Sequence, residues 1–159
     1  MLAVLDAARH APSSLNGQPW VFIVVRDREL LARMAEIKNR HAAPDKRAYP
    51  SDFVAAAPVT IAVCVDRAHS YDRGRENGVI AATIALLAAH AHGLGGTYLT
   101  AYHPRDEGLA VELRGLLGLP DTIDPVALIP LGYPAGSPPP KELRPLDELV
   151  HYERFGGSR

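Results

Sequence analysis

Polar side chains that could hold a ligand cluster near the start of the chain, in the segment APSSLNGQPW at residues 11–20. Its proline, serine, asparagine and glycine residues are typical of turns, and it lies between a predicted helix and a predicted strand. Two interpretations stay open: a well-capped loop, or a rigid polar rim for a ligand rich in hydrogen-bond donors and acceptors. The side chains concerned are Ser13, Ser14, Asn16, Gln18 and the indole of Trp20.

The histidines and the cysteine do not predict a metal site. His90 and His92 lie two positions apart on a predicted helix, so their side chains diverge by about 200°. The other histidines are scattered without the spacing of metal ligands. Cys64 is the single cysteine, which excludes an internal disulfide, and its apolar neighbours predict a buried core thiol.

Two patterns that resemble catalytic or nucleotide-binding motifs lack the required context. Ser13 and Ser14 follow a predicted helix, whereas a nucleophile elbow needs G-x-S-x-G between a strand and a helix. The glycines from Gly93 to Gly96 follow a helix and precede a strand, which is the reverse of a Rossmann fingerprint. Gly93 is therefore expected to end the helix, while Gly95 and Gly96 still allow the backbone to approach a ligand closely.

The C-terminal segment combines prolines with two cations. Five of the 14 prolines fall between Pro134 and Pro145, which predicts an extended conformation. Lys141 and Arg144 lie within this segment. They are either a solvated pair of charges or two cations that an extended arm delivers to a phosphate group.

The hydrophobic pattern predicts alternating helices and strands without an internal repeat. Asp27 is predicted to cap a helix that ends near Arg40, and the strongest helix, 76–92, is rich in alanine. The predicted core face of that helix holds Ile80, Ile84, Leu87, Ala88 and Ala91. The other predicted helices are 1–9, 52–56, 104–117 and 146–153, and the predicted strands are 20–25, 59–65, 97–102 and 126–131.

Length and composition indicate one globular domain. The chain has 159 residues, of which 47% are hydrophobic and 22% are charged, with a net charge of −1 at pH 7. A domain of this size can bury a substantial core. The lack of a basic excess argues against nucleic-acid binding, and no apolar run is long enough for a membrane span. The start of the sequence lacks a signal-peptide pattern, so the predicted location is the cytoplasm.

Three blocks of the sequence, in order, resemble the nitroreductase family of FMN-dependent oxidoreductases. The combination is specific at the level of the family, because the APSSxNxQPW string is intact and the blocks cover nearly the whole chain. They are AARHAPSSLNGQPWVFIVVRD at 7–27, ENGVIAATIALLAAHAHGLGGTYLTAY at 76–102 and IPLGYPAGSPPPKELRPLDELVHYERF at 129–155.

This resemblance implies a fold and an assembly. The expected fold is α+β, with a mixed, largely antiparallel sheet flanked by helices. The expected assembly is a homodimer in which a C-terminal arm, residues 134–159, crosses from a domain at residues 1–133 to the partner subunit. The helix 76–92 would lie in the dimer core. Two FMN molecules would lie at the interface, each contacted by both chains.

The resemblance also implies which strand lies beside the flavin ring. A backbone N–H of Thr100 or Ala101 would donate a hydrogen bond to flavin N5, and no side chain would act as a catalytic acid or base. The stretch expected beside the ring is Tyr98, Leu99, Thr100 and Ala101.

The other expected flavin contacts come from the loop and from the arm. Ser13, Ser14 and Asn16 would approach the flavin from the partner subunit, and Lys141 and Arg144 would contact its phosphate. The arm departs from the Lys-x-Arg spacing of the family, with Leu143 in place of the arginine. The Arg-rich segment that precedes the first helix in the family is not in this sequence. A start further upstream and a shortened form with a weaker flavin site both stay open.

The function implied by the resemblance is hydride transfer. NAD(P)H would pass a hydride to FMN, and a small electron-poor acceptor, such as a nitro compound or a quinone, would then be reduced in a ping-pong mechanism. The alternative is a dimer of the same fold that binds little flavin and has no catalytic role. The resemblance distinguishes neither the physiological acceptor nor NADH from NADPH.

Overall fold

Helices flank both faces of an antiparallel sheet in the computed structural model, which describes residues 1–44, 47–103 and 106–157. None of the described helices is long and apolar enough to span a membrane. The helices are α1 (Leu2–Ala8), α2 (Arg28–Arg40), α3 (Phe53–Ala56), α4 (Gly74–Ala91) and α5 (Gly108–Leu117). The strands are β1 (Trp20–Val25), β2 (Val59–Asp66), β3 (Gly95–Gly96), β4 (Leu99–Thr100) and β5 (Ile123–Gly132).

The sheet is built around two long central strands. Its order is β1–β2–β5–β3, and the short strand β4 also pairs with β5. Every pairing between described strands is antiparallel. Because β3 and β4 pair with β5 on the side away from β2, they form one edge of the sheet. The α+β class expected from the sequence is confirmed.

The central strands are buried on both faces because helices cover the sheet on either side. On one face, α1 and α4 pack against residues such as Ile61 and Val63. On the other face, α2, α3 and α5 pack against residues such as Ala62 and Cys64. This double burial explains why the strand sequences are continuously apolar instead of alternating. Cys64 is buried as predicted, and burial raises the pKa of its thiol to about 12.

Small residues form the centre of the α4 face that packs on the sheet, so the predicted core face is wrong in part: Ile84 and Ala88 pack against this core, and the other three residues do not. A Cβ atom at Gly78 would come within 2.8 Å of Val126, which shows how closely the helix approaches. Large side chains have no space at such a contact. The buried alanines of the helix are Ala81, Ala82, Ala85 and Ala89. Of the predicted core residues, Ile80, Leu87 and Ala91 are exposed, and Ile84 and Ala88 are half-buried.

Several predicted elements match the structure. The strand predicted at 20–25 is β1 with the same bounds. The carboxylate of Asp27 accepts a 2.9 Å hydrogen bond from the Leu30 N–H, and it caps α2 as expected. Gly93 follows the end of α4 with φ of 74°, a conformation that glycine adopts without steric cost.

Three predicted elements differ from the structure. The strand predicted at 97–102 is reduced to the two residues of β4, with β3 as a separate strand before it. The helix predicted from Pro104 begins at Gly108, because the Asp106 carboxylate accepts the Gly108 N–H at 2.8 Å and starts the helix there. Pro104 itself lies outside the described residues. The helix predicted at 146–153 is a single 3-10 turn, Leu146–Glu148.

The segment that follows β5 remains exposed. Residues 133–156 are all exposed, and the hydrogen bonds of residues 135–157 join residues within that segment. Several of its side chains are large and apolar, and Phe155 is 91% exposed. A series of exposed apolar side chains is typical of a surface that binds another protein.

Candidate functional site

The loop at residues 13–18 holds three residues other than glycine in the left-handed backbone region. The φ angles are 49° at Leu15, 56° at Asn16 and 50° at Gln18. Asparagine tolerates this region, but leucine and glutamine adopt it only when the surrounding structure enforces it. The conformation of the loop is therefore imposed by its neighbours.

One hydrogen bond within the loop and one from α4 hold the loop in place. Within the loop, Ser13 Oγ accepts the Gln18 N–H at 3.0 Å. From α4, Asn77 Oδ1 accepts the Ser14 N–H at 3.1 Å. Both bonds use backbone donors of the loop, so they fix the path of its main chain.

Close packing fixes the middle of the loop. A side chain at Gly17 would collide with the backbone carbonyl oxygen of His69 and with the ring of Tyr71. Only glycine allows the two segments to approach this closely. The side chain of Asn16 is exposed and that of Ser14 is half-buried, so both polar groups lie at the surface of a rigid loop.

Among the described strands, β4 pairs with β5 alone, and we call its other side the open edge of β4. Ala101 N–H donates to the carbonyl oxygen of Val126 at 2.9 Å, next to the pairing of Thr100 with Ala127. Opposite residues of an antiparallel pair alternate between exchanging hydrogen bonds and facing away from each other. The N–H and C=O of Thr100 therefore point away from β5. Of the two predicted N5 donors, Ala101 is used within the sheet and Thr100 faces the open edge.

Lys38, near the end of α2, reaches the same edge. Its Nζ donates a 2.6 Å hydrogen bond to the carbonyl oxygen of Thr100. Because the N–H and C=O of one extended residue point to the same side of the strand, the ammonium group stands beside the Thr100 N–H. Hydrogen bonds from a charged donor are about twice as strong as neutral ones.

The side chains of the predicted ring-binding stretch are divided between two cores. Leu99 and Ala101 pack in the core beneath α2 and α5, whereas Tyr98 packs on the side of α4. Burial, and secondarily the neighbouring Tyr102, raises the pKa of the Tyr98 hydroxyl, so it is protonated at neutral pH. None of the four side chains from Tyr98 to Ala101 therefore titrates near pH 7.

The two predicted phosphate contacts lie in the exposed C-terminal segment. Arg144 Nε lies 3.4 Å from Glu148 Oε2, and Lys141 is exposed. Within the described residues, no hydrogen bond joins either cation to the 13–18 loop or to β4. Among the described residues, hydrogen bonds thus do not connect the predicted phosphate contacts with the other predicted site residues.

A comparison with known proteins identifies the family. The sequence profile described as the nitroreductase family matches residues 1–133. The chain belongs to the nitroreductase family. A relative in Methanothermobacter thermautotrophicus, provisionally named NADH dehydrogenase/NAD(P)H nitroreductase, is 37% identical over 155 residues. The match covers 96% of this chain and 74% of that protein.

Solved structures of nitroreductases have the same fold. A protein of Bacteroides thetaiotaomicron, provisionally named NADH dehydrogenase/NAD(P)H nitroreductase, is 35% identical with a TM-score of 0.79, covering 95% of this chain and 82% of that one. An FMN-dependent nitroreductase of Clostridium difficile is 28% identical with a TM-score of 0.77, covering 96% of this chain and 85% of that one. These names agree with the oxidoreductase class predicted from the sequence.

Two residues that bind the backbone of predicted site residues were missed in the sequence. Asn77 lies 63 positions from Ser14, and Lys38 lies 62 positions from Thr100. A polar side chain within an alanine-rich helix was an available signal for Asn77. No local pattern distinguishes Lys38 from a solvated lysine near a helix end.

His41 was also missed, and it connects two segments near β4. Its ring nitrogens lie 3.2 Å from Asp106 Oδ2 and 2.9 Å from Glu112 Oε1, which ties the end of α2 to the start of α5. The Gly108 N–H and then the His41 ring hold the pKa of Asp106 below its usual value. The His41 ring and then Arg40 do the same for the pKa of Glu112.

A cavity of about 670 Å³ lies between the start of α4, the residues after β4 and α5. Its cationic side chains already have partners: Arg75 lies 4.4 Å above the ring of Tyr102, and Arg67 and Arg114 both pair with Asp124. Among the described residues, no group of histidine, cysteine or acidic side chains could hold a metal ion.

Proposed function

We propose that this protein is an FMN-dependent oxidoreductase that transfers a hydride from NAD(P)H to a small electron-poor acceptor by a ping-pong mechanism. A nitro compound or a quinone would be such an acceptor. The observation that carries the proposal is the Thr100 N–H on the open edge of β4, in a chain of the nitroreductase family. The FMN dependence named for the C. difficile nitroreductase supports the choice of cofactor.

The residues around β4 fit a flavin. FMN, when bound, supplies the chemistry that accepts a hydride and passes it on. Thr100 would donate its backbone N–H to flavin N5, with Tyr98, Leu99 and Ala101 beside the ring. A backbone amide does not titrate, so this hydrogen bond is available at every working pH and needs no acid–base side chain.

The 13–18 loop is proposed to contact the FMN held by the partner subunit. Its Ser13, Ser14 and Asn16 carry hydroxyl and amide groups that match the polar edge of a flavin. In one chain no hydrogen bond links this loop to β4 among the described residues. We propose a twofold dimer in which the loop of one copy lies beside β4 of the other.

A homodimer is proposed because two parts of the chain expose apolar side chains. One is the outer side of α4, with Ile80 and Leu87, and the other is the C-terminal segment, with Leu146 and Phe155. Burial of apolar surface contributes about 25 cal/mol per Å². We propose that residues 134–159 are an arm extending from a domain at residues 1–133 to the partner.

The same arm would carry the phosphate contacts. Lys141 and Arg144 are exposed, and the Arg144 ion pair with Glu148 is a surface pair that contributes little to stability. A phosphate group can therefore replace Glu148 as the partner of Arg144 at small cost. Charge-assisted contacts of this kind are worth about 1.5–3 kcal/mol each.

The proposal is tested by loading the protein with FMN and measuring oxidation of NADH and NADPH with a quinone or a nitroaromatic acceptor. Thr100→Pro removes the outward N–H, while Thr100→Val keeps it as a control. We expect the proline variant to lose at least about tenfold in kcat/KM, which corresponds to about 1.4 kcal/mol. The valine variant should keep most of the activity.

Two results would count against the proposal. Equal activity of the proline and valine variants would remove the Thr100 N–H from the mechanism. A protein that binds no FMN in an absorbance titration would instead be the non-catalytic, flavin-poor dimer of the same fold.

A further inference from the structure

We propose that Asn77 is a positioning residue that sets the conformation of the 13–18 loop and so controls how tightly the loop binds FMN. The inference rests on the proposed function for its ligand but not for its geometry. Asn77 is 1% exposed and lies in the second turn of α4, so it cannot itself reach a ligand in solvent.

Both ends of the Asn77 amide are used. Oδ1 accepts the Ser14 N–H at 3.1 Å, and Nδ2 donates to the Ser70 carbonyl oxygen at 3.2 Å. A buried amide left without partners is costly, so such a side chain is kept where its hydrogen bonds are satisfied. Asn77 thus connects the 13–18 loop to the segment that follows β2.

These bonds complete a closed circuit between the two segments. Ser70 Oγ donates to the Asp66 carbonyl oxygen at 2.5 Å, and Asp66 N–H donates to the Pro19 carbonyl oxygen at 2.8 Å. Starting at Pro19, the circuit passes through Asp66, Ser70 and Asn77 and returns to the loop at Ser14. Among the described residues, the buried polar side chains are Thr60, Ser70 and Asn77, and two of the three belong to this circuit.

The circuit explains how the loop keeps its unfavourable backbone. Leu15, Asn16 and Gln18 all have positive φ, and leucine and glutamine rarely adopt this conformation unless their surroundings enforce it. The packing of Gly17 against His69 holds the middle of the loop, while Asn77 holds its beginning and the Asp66–Pro19 bond holds its end. Removing the Asn77 amide releases the Ser14 end.

Asparagine, aspartate and leucine have similar shapes, so comparing them at position 77 separates the contributions of the two hydrogen bonds. Asparagine accepts from Ser14 and donates to Ser70, Asn77→Asp keeps an acceptor for the Ser14 N–H, and Asn77→Leu keeps neither bond. We expect the order asparagine, aspartate, leucine for the protection of the Ser14 amide against hydrogen exchange and for FMN affinity. The leucine variant should exchange the Ser14 amide at least about tenfold faster and bind FMN at least about tenfold more weakly.

A matched control distinguishes positioning from a general loss of stability. Val54 is fully buried on the opposite face of the sheet, so Val54→Ala lowers the melting temperature without touching the circuit. Its Ser14 amide and its FMN affinity should stay within about twofold of the wild type. If the leucine variant does not fold, Asn77→Asp serves in its place, because it loses the donor to the Ser70 carbonyl oxygen and should still give an increase in Ser14 exchange.

Failure of the Asn77 proposal can be distinguished from failure of the proposed function. Hydrogen exchange is measured without FMN, so a wild-type protein that fails to bind FMN would contradict the proposed function and leave the exchange test intact. Unchanged Ser14 exchange in the leucine variant, or in Asn77→Asp where it must be used, would overturn the positioning role. The positioning role would also be overturned if Val54→Ala and Asn77→Leu had the same melting temperature and lost the same amount of FMN affinity.

Discussion

Lys38 Nζ donates a 2.6 Å hydrogen bond to the carbonyl oxygen of Thr100, at the open edge of β4. The two residues come from different elements, one from α2 and one from the sheet edge. Their contact puts a cationic group next to the N–H that we propose for flavin N5. A cation at this place stabilises negative charge that develops on the cofactor or on the acceptor.

Lys38→Met should therefore lower the reduction potential of bound FMN. A tenfold loss in the preference for reduced over oxidised FMN corresponds to about 30 mV for two electrons. The potential is measured by spectroelectrochemical titration of the FMN-loaded protein. Lys38→Arg keeps the charge and should stay near the wild-type value; a methionine variant with an unchanged potential would contradict the electrostatic role.

Replacing Lys141 and Arg144 together with alanine should weaken FMN binding at least about tenfold, or about 1.4 kcal/mol. The reason is the loss of two cations proposed to contact the phosphate. A flavin-fluorescence titration gives the dissociation constant. Arg154→Ala removes another cation of the same exposed segment and serves as the control; unchanged affinity in the double variant would take the two residues out of the site.

Leu87→Asp should separate the proposed dimer. Leu87 is 65% exposed on the outer side of α4, and a buried aspartate at an apolar interface is strongly unfavourable. Light scattering at micromolar concentration should give a dimer mass for the wild type and a monomer mass for the variant. Val111→Asp changes a similarly exposed apolar residue on α5 and should stay dimeric. A wild-type monomer would contradict the assembly.

The His41 contacts predict a dependence of stability on acid. The pKa values of Asp106 and Glu112 are lowered in the folded state, chiefly by the Gly108 N–H for the first and by His41 for the second. Their stabilising contribution is present above the unfolded-state pKa and is lost as the pH falls from about 4 through the folded-state values. Asp106→Asn with Glu112→Gln should flatten the melting temperature over this range. A curve parallel to that of the wild type would refute the link.

Local signals in the sequence predicted the elements, and long-range contacts determined the site. The strand WVFIVV and the Asp27 cap follow from neighbouring residues, and both agree with the structure. The core face of α4 did not follow, because the pattern of side chains along the helix cannot show that position 78 lies too close to Val126 for any residue but glycine. Large apolar residues on its outer side were mistaken for core.

The site shows the same division. The polar loop was visible as a motif and the stretch 98–101 came from the family resemblance, but proposing Thr100 over Ala101 as the N5 donor required the pairing register of β4 with β5. That register depends on strands far apart in the chain. Lys38 and Asn77 act on residues more than sixty positions away, so no pattern along the sequence could have connected them.

The two-sided apolar character of α4 links cofactor retention to protein concentration. Its alanines are buried against the sheet of the same chain, whereas Leu87 and Ile80 would be buried only in the proposed dimer. Dissociation on dilution follows mass action, and each separated subunit would lose the loop and the arm that its partner contributes. Dilution would then unload FMN as well as divide the dimer, and a newly made chain could bind its cofactor only after meeting a second copy.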